Sequence, residues 1–179
     1  MLQDIDLVSI QEARKLARAA KAAQKILATY DKEQIEKIII SMVDAAVSNA
    51  ERLAVMAVEE TGFGKVHDKV LKNLAASRDL YEFIKDMNTI GVVRNDTERK
   101  VIEIAEPMGV VVGIIPSTNP TSTAIFKSII SIKSRNGVVI SPHPSAAKCT
   151  NEATRLMAEA AVKAGAPEGI IGCLSNTTI

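Results

Sequence analysis

Apolar residues recur in steps of three and four along the first half of the chain and gather into short continuous runs in the second. The first rhythm predicts helices, the second strands buried in a sheet. Ser9 and Glu12 have the S-x-x-E spacing of a capping box. A helix is therefore expected from about Ile10 to Thr29, with Ile10, Ala13, Ala17, Ala20 and Leu27 on its inner stripe. Asp31 and Gln34 supply a similar start for a second helix, whose stripe is Ile35, Ile38, Ile39, Met42, Val43 and Ala46. After a break at Asn49, Leu53, Ala54, Ala57 and Val58 carry helix on to Glu60. Thr61-Gly62-Phe63-Gly64 ends it, since glycine takes the left-handed C-terminal conformation cheaply. Val66, Val70, Leu74, Ser77, Tyr81 and Ile84 mark a third helix, ending near Asn88 to Gly91. Helical charge pairs such as Lys32/Glu36 and Arg78/Glu82 read as a solvated face.

Arg94-Asn95-Asp96-Thr97 reads as a turn between Val92-Val93 and an alternating, half-exposed strand from Lys100 to Ala105. Beyond Pro107 the pattern changes. Val110 to Ile115 is continuously apolar, as in a strand buried on both faces of a parallel sheet. A helix follows with Ala124, Ile125, Ser128, Ile129 and Ile132 inward, terminated by Asn136-Gly137. Val138-Val139-Ile140 is the next buried strand. Ser145 opens another helix, with Cys149, Ala153, Leu156, Ala160 and Ala164 facing in, stopped by Gly165-Ala166-Pro167. Ile170 to Leu174 is the third strand. The fold class is α/β: N-terminal helical layers, then βαβαβ, one mononucleotide-binding half of a doubly wound sheet with right-handed crossovers.

At 179 residues and 47% apolar composition the chain is a globular domain, and with five aromatic residues (three Phe, two Tyr) its core is aliphatic. A net charge of +1 argues against nucleic acid or acidic lipid as the main partner. The charged N-terminus lacks the apolar segment of a signal peptide, and the longest uncharged run, Pro107 to Phe126, contains three prolines and only a strand-sized apolar part, which excludes a membrane span. Cys149 and Cys173 have no metal-type spacing, two histidines are too few for a cluster, and reduced thiols suit the cytoplasm. Thr61 to Lys65, TGFGK, lacks the spacing of a phosphate-binding loop and follows a helix, so it is a structural turn.

Candidate chemistry collects at the two strand-to-helix turns, since ligands of open α/β sheets bind beyond the carboxyl ends of the strands. In Pro116-Ser117-Thr118-Asn119-Pro120, the hydroxyls of Ser117, Thr118 and Thr121 and the Asn119 amide cluster at the positive end of a helix. Asn119 is read in two ways: a cap for that helix, or an N–H donor to a developing oxyanion. In Ser141-Pro142-His143-Pro144 two prolines stiffen the loop, and His143 is either simply solvated or in touch with a nucleotide phosphate or ribose. Cys149 and Cys173 are core residues rather than nucleophiles. There is no G-x-G-x-x-G fingerprint.

These residues resemble the aldehyde dehydrogenase superfamily, whose members carry P-x-G-V-V, a P-x-N-x-P-like turn, and a G-N-x-V-V strand ending in a K-P-S-E loop. IIPSTNPTSTAIFKSIISIKSRNGVVISPHP is similar to the CoA-acylating acetaldehyde dehydrogenases, including the N-terminal half of the bifunctional aldehyde–alcohol dehydrogenases, as are EETGFGKVHDKVLKN and GAPEGIIG. The resemblance covers essentially the whole chain. It implies an NAD-dependent enzyme converting an aldehyde and coenzyme A to acyl-CoA through a cysteine thioester. It places Asn119 on the oxyanion asparagine, and Ile115, Pro116, Ser117 and Thr118 beside the nicotinamide. Ser141 falls where non-acylating relatives hold the adenosine ribose with a lysine, and Pro144 where they have a glutamate, so Ser141, Pro142, His143 and Pro144 are expected near the adenosine end of NAD or CoA.

The resemblance also implies that the nucleophilic cysteine belongs to a later catalytic domain. The chain is thus expected to be an N-terminal fragment, inactive alone. Residues 1–91 would be N-terminal helices of the cofactor-binding domain, 92–107 an antiparallel oligomerisation arm, and 108–179 the first half of the NAD-binding sheet. Expected partners are a small aldehyde, CoA and further copies of the chain. The expected location is the cytoplasm, free or inside a bacterial microcompartment. Two other readings remain: a non-catalytic NAD/CoA-binding or interaction module, and an acyl-phosphate reductase of the same superfamily.

Overall fold

The computed structural model of the chain describes residues 4–176. Residues 1–3 and 177–179, at which the expected segments 1–91 and 108–179 begin and end, lie outside the described residues. Helix α1 (Ile5–Leu27) starts earlier than the capping-box reading placed it. Its cap is Asp4, whose carboxylate accepts from the N–H groups of Asp6 and Leu7 at 3.0 and 3.3 Å. Ser9 and Glu12 therefore lie within the helix, where every amide already has a partner, and their side chains bind elsewhere. Glu12 accepts from the backbone N–H groups of Ser175 and Asn176, both at 3.0 Å, and the Ser9 hydroxyl donates to the Asn176 carbonyl at 2.6 Å. Burial pulls the Glu12 carboxyl upward, but the hydrogen bonds from Ser175 and Asn176 outweigh it and hold its pKa below the ordinary value. Of the expected stripe, Ala20 and Leu27 are buried, whereas Ile10 and Ala17 are exposed.

Helix α2 (Lys32–Ser48) forms as expected, with the reciprocal Asp31/Gln34 box and all six stripe residues buried. After Asn49, α3 (Ala50–Thr61) runs to Gly62, whose φ of +69° supplies the left-handed cap. The third periodic segment is α4 (Val66–Leu74), a π-helical turn (Ala75–Asp79) and α5 (Leu80–Ile84). Of its expected stripe Ser77 and Ile84 are buried, whereas Val66, Val70, Leu74 and Tyr81 are only half-buried, and the polar Lys69 and Asn73, outside that stripe, are buried in their place. Glu36 also departs from the solvated-face reading: it pairs at 2.8 Å with Lys133, whose side chain is 5% exposed.

Strands β1 (Gly91–Asp96) and β2 (Val101–Ala105) form an antiparallel ribbon. Arg94 to Asp96 belong to β1, not to the turn. The reversal falls at Thr97 to Lys100, with Asp96 accepting from the Arg99 N–H at 2.9 Å and Lys100 at φ +55°. The ribbon is exposed on both faces rather than on one, because no described element packs over it closely enough to cover Val92, Ile102 or Ile104.

Strands β3 (Val110–Ile115), β4 (Gly137–Pro142) and β5 (Ile171–Cys173) make a parallel sheet in that order. Helices α6 (Pro120–Lys133) and α7 (Ala147–Lys163) cover one face, with α2 packed outside them, and α1 crosses the other. Apolar residues of α2, α6, α7 and all three strands join one continuous core. The strand β3 is not buried on both faces: Val112 and Ile114 are 65% and 74% exposed. These residues share the α1 face, but α1 centres on β4, touching Gly137 through Ala20, and leaves the C-terminal half of β3 uncovered. Gly137 is thus required by packing and not by helix termination; a Cβ there would lie 2.9 Å from the Ala20 carbonyl oxygen. The α6 helix is instead reversed by Arg135 at φ +58°, which donates to the Ala28 carbonyl at 2.7 Å. In α7, Cys149, Ala153 and Ala160 are buried as expected, joined by Met157 and Ala161, while Leu156 and Ala164 are half-buried. No described helix is long and apolar enough to cross a membrane.

Candidate functional site

Parallel pairing sets the C-terminal ends of β3 and β4 side by side, with Ile115 opposite Pro142. The His143 N–H donates to the Ile115 carbonyl at 3.1 Å, tying the second turn to the first. Residues 115–119 and 141–144 therefore meet at one sheet edge, as the strand order requires.

Asn119 occupies the N-cap position of α6, with Pro120 at the first turn, yet its side chain makes no capping hydrogen bond. Its Oδ1 accepts from Lys72 Nζ at 2.8 Å instead. The Thr123 hydroxyl takes the Asn119 main-chain carbonyl at 2.6 Å. Among the described residues, the Asn119 NH2 group donates to no protein atom. Because lysine is donor-only, the amide oxygen must face it and the NH2 must face away. Asn119 lines an open cleft of about 410 Å³ with Lys72, Ala75, Ala76, Thr123 and Phe126.

Helix α4 builds this arrangement, and hydrophobic periodicity alone did not flag it. Lys69 Nζ donates to the Thr118 carbonyl at 2.9 Å. Burial first, then the neighbouring Lys72 charge, lowers the Lys69 ammonium pKa. Asn73, fully buried, donates to the Ala50 carbonyl and accepts from the Thr121 hydroxyl, each at 2.9 Å. Thr121 is thereby turned into the core, away from the hydroxyl cluster the sequence suggested; Ser117 is half-buried and Thr118 exposed. The signal was present as D-K-x-x-K-N, polar residues at i, i+3 and i+4 on one helix face.

In the second turn Ser141 is half-buried, Pro142 buried, and His143 and Pro144 exposed. His143 Nδ1 accepts from the Ser145 N–H at 3.2 Å, with the Ser145 hydroxyl 2.8 Å away. A main-chain N–H only donates, so the neutral ring carries its proton on Nε2, leaving that N–H for a ligand.

Neither cysteine is built to attack. Cys149 is fully buried in the first turn of α7, where Glu60 of α3 accepts from the N–H groups of Lys148 and Cys149 at 2.8 and 2.7 Å. Burial, with the Glu60 carboxylate second, pushes the Cys149 thiol up from 9.0 to about 12; burial pushes Cys173 up to about 11. Cys173 departs from the core reading, being only half-buried at the end of β5, whereas the fully buried Cys149 thiol should consume a maleimide only on unfolding. A raised folded pKa contributes stability that is complete below the unfolded value and is lost as pH rises. Urea midpoints should therefore fall between pH 9 and about 12, less steeply in Cys149→Ala, and rapid native labelling would contradict the assignment.

An aldehyde dehydrogenase family model matches residues 1–178. The bifunctional aldehyde-alcohol dehydrogenase AdhE of Escherichia coli is 44% identical over 173 residues, covering 97% of this chain and 19% of that protein. The crystal structure of an acetylating aldehyde dehydrogenase from Geobacillus thermoglucosidasius superposes with a TM-score of 0.96 at 60% identity, covering 99% of this chain and 39% of that one. A Rhodopseudomonas palustris propionaldehyde dehydrogenase, solved with bound CoA and an acylated cysteine, gives a TM-score of 0.79 at 27% identity, covering 92% and 37% of the two chains. The chain thus spans about a fifth of the first relative and about two fifths of the two structures.

Proposed function

The chain belongs to the aldehyde dehydrogenase family, and from that membership we propose that it forms the cofactor-side half of an acylating aldehyde dehydrogenase site. The reaction is aldehyde, CoA and NAD to acyl-CoA, NADH and a proton, by way of a thioester on a cysteine that is not among these 179 residues. The observation that carries the reading is the uncapped Asn119 amide: its oxygen is engaged by Lys72 and its NH2 is left for a ligand at the end of β3. An amide N–H aimed at a developing oxyanion lowers the barrier only if it is oriented beforehand. Asn119 is here assigned that role, with the carbonyl of a small aldehyde in the adjoining cleft.

Ile115, Pro116, Ser117 and Thr118 are assigned to the nicotinamide side, and Ser141, Pro142, His143 and Pro144 to the adenosine end of NAD or CoA. The donors fit: among the described residues the Ser117 and Thr118 hydroxyls take no protein partner, and His143 presents Nε2–H. NAD supplies the hydride acceptor; the protein supplies position and charge stabilisation. The raised thiol pKa values of Cys149 and Cys173 support an external nucleophile. The bare apolar ribbon, with Ile102 and Ile104 each 59% exposed, supports a homo-oligomer. The two free cysteines support a cytoplasmic location.

The test is an assay of the natural protein at full length. NADH should form only when aldehyde, NAD and CoA are all present, and residues 1–179 alone should not turn over. Turnover in which inorganic phosphate replaces CoA would move the assignment to the acyl-phosphate reductases.

A further inference from the structure

We propose that Lys72 is a positioning residue for acyl transfer, fixing which end of the Asn119 amide faces the reacting oxygen; this rests on the oxyanion assignment of Asn119. The two flips of a primary amide are nearly the same shape and opposite in function. One presents N–H to an oxyanion, the other a carbonyl oxygen that would repel it. An asparagine at a helix N-cap ordinarily settles the matter by bonding its own helix, and Asn119 does not. The choice passes to Lys72, which has three donor positions and no acceptor, so only Oδ1 tolerates its approach at 2.8 Å.

The surroundings make the lysine a fixed partner. One turn earlier on the same face, Lys69 grips the Thr118 carbonyl, and the next residue, Asn73, takes the Thr121 hydroxyl. Helix α4 thus holds residues 118, 119 and 121 by three consecutive contacts, two main-chain or core and one to the chemical group. Lys69 and Asn73 are buried and structural, whereas Lys72 is exposed. Its removal leaves the scaffold in place and releases only the amide.

The test is a double-mutant cycle in the natural protein at full length. Lys72→Met should lower kcat roughly tenfold, with the KM for aldehyde changed no more than about twofold, because the amide is mispositioned in the transition state and not lost. Lys72→Arg, which keeps the charge and donors, should restore most of that. In an Asn119→Ala background Lys72→Met should do nothing further, since there is no amide left to orient. An unchanged kcat in Lys72→Met, or a tenfold loss that persists in the Asn119→Ala background, overturns the positioning role while Asn119 stands. Full turnover by Asn119→Ala would bring down the oxyanion assignment, and Lys72 with it.

Discussion

Replacing Asn119 by alanine is expected to lower kcat of the full-length protein by about 10²–10³, the usual consequence of deleting one oxyanion donor, the role proposed for it, and to leave its unfolding transition almost unmoved. Two readings of this residue make opposite predictions. A capping asparagine would lose roughly 1 kcal/mol of stability on going to alanine. Asn119 makes no cap bond, so that term is missing here. Asn119→Asp separates the readings further. Aspartate caps helices as well as asparagine does, and it would strengthen the contact with Lys72. It has no N–H to offer, however, and places a negative charge where the proposed oxyanion would develop. The expected result is a normally stable enzyme with turnover at or below that of Asn119→Ala. An active Asp variant, or an Ala variant whose only defect is a lower melting point, would return Asn119 to a structural role.

What could be read in the sequence divides along a physical line. The α2 stripe, the inner face of α6 and the core of β4 were legible because apolar side chains at a fixed period can only be satisfied by burial. The Asp31/Gln34 box was legible and the Ser9/Glu12 box misleading for one reason. Both have the spacing, but at Ser9 the chain is already helical from the Asp4 cap, so Glu12 accepts from residues far along the chain. Val112 and Ile114 look like any doubly buried strand; only the centring of α1 on β4 shows that they are not. The site was half legible. The turn at Asn119 could be found from strand ends and proline placement, but its partners Lys69, Lys72 and Asn73 are polar residues on a helix judged by its apolar ones. Buried polarity leaves no hydrophobic period.

Asn73→Ala is the substitution expected to do most damage to stability, about 2–4 kcal/mol, or a fall in melting temperature on the order of 5–15 °C for a domain of this size. The side chain is completely buried and both of its ends are used. Its NH2 serves the Ala50 carbonyl of α3, and its oxygen serves the Thr121 hydroxyl of α6, which is 2% exposed. Truncation leaves a cavity and strands two polar groups out of reach of water. Asn73→Asp keeps the volume and should fare no better, because a carboxylate facing the Ala50 carbonyl has nothing to donate. The Thr121 bond can be isolated with Thr121→Val. Removing the hydroxyl from wild type orphans the Asn73 oxygen, whereas removing it from Asn73→Leu relieves an unpaired donor, so the two changes should couple by about 1 kcal/mol or more. Because Asn73 follows Lys72 directly, loosening it should also cost turnover at temperatures where the protein is still folded. Asn119→Ala should reduce turnover without affecting stability; Asn73→Ala should reduce both. A melting temperature for Asn73→Ala within a degree or two of wild type would mean that α4 is not the clamp that holds residues 118–121 in place.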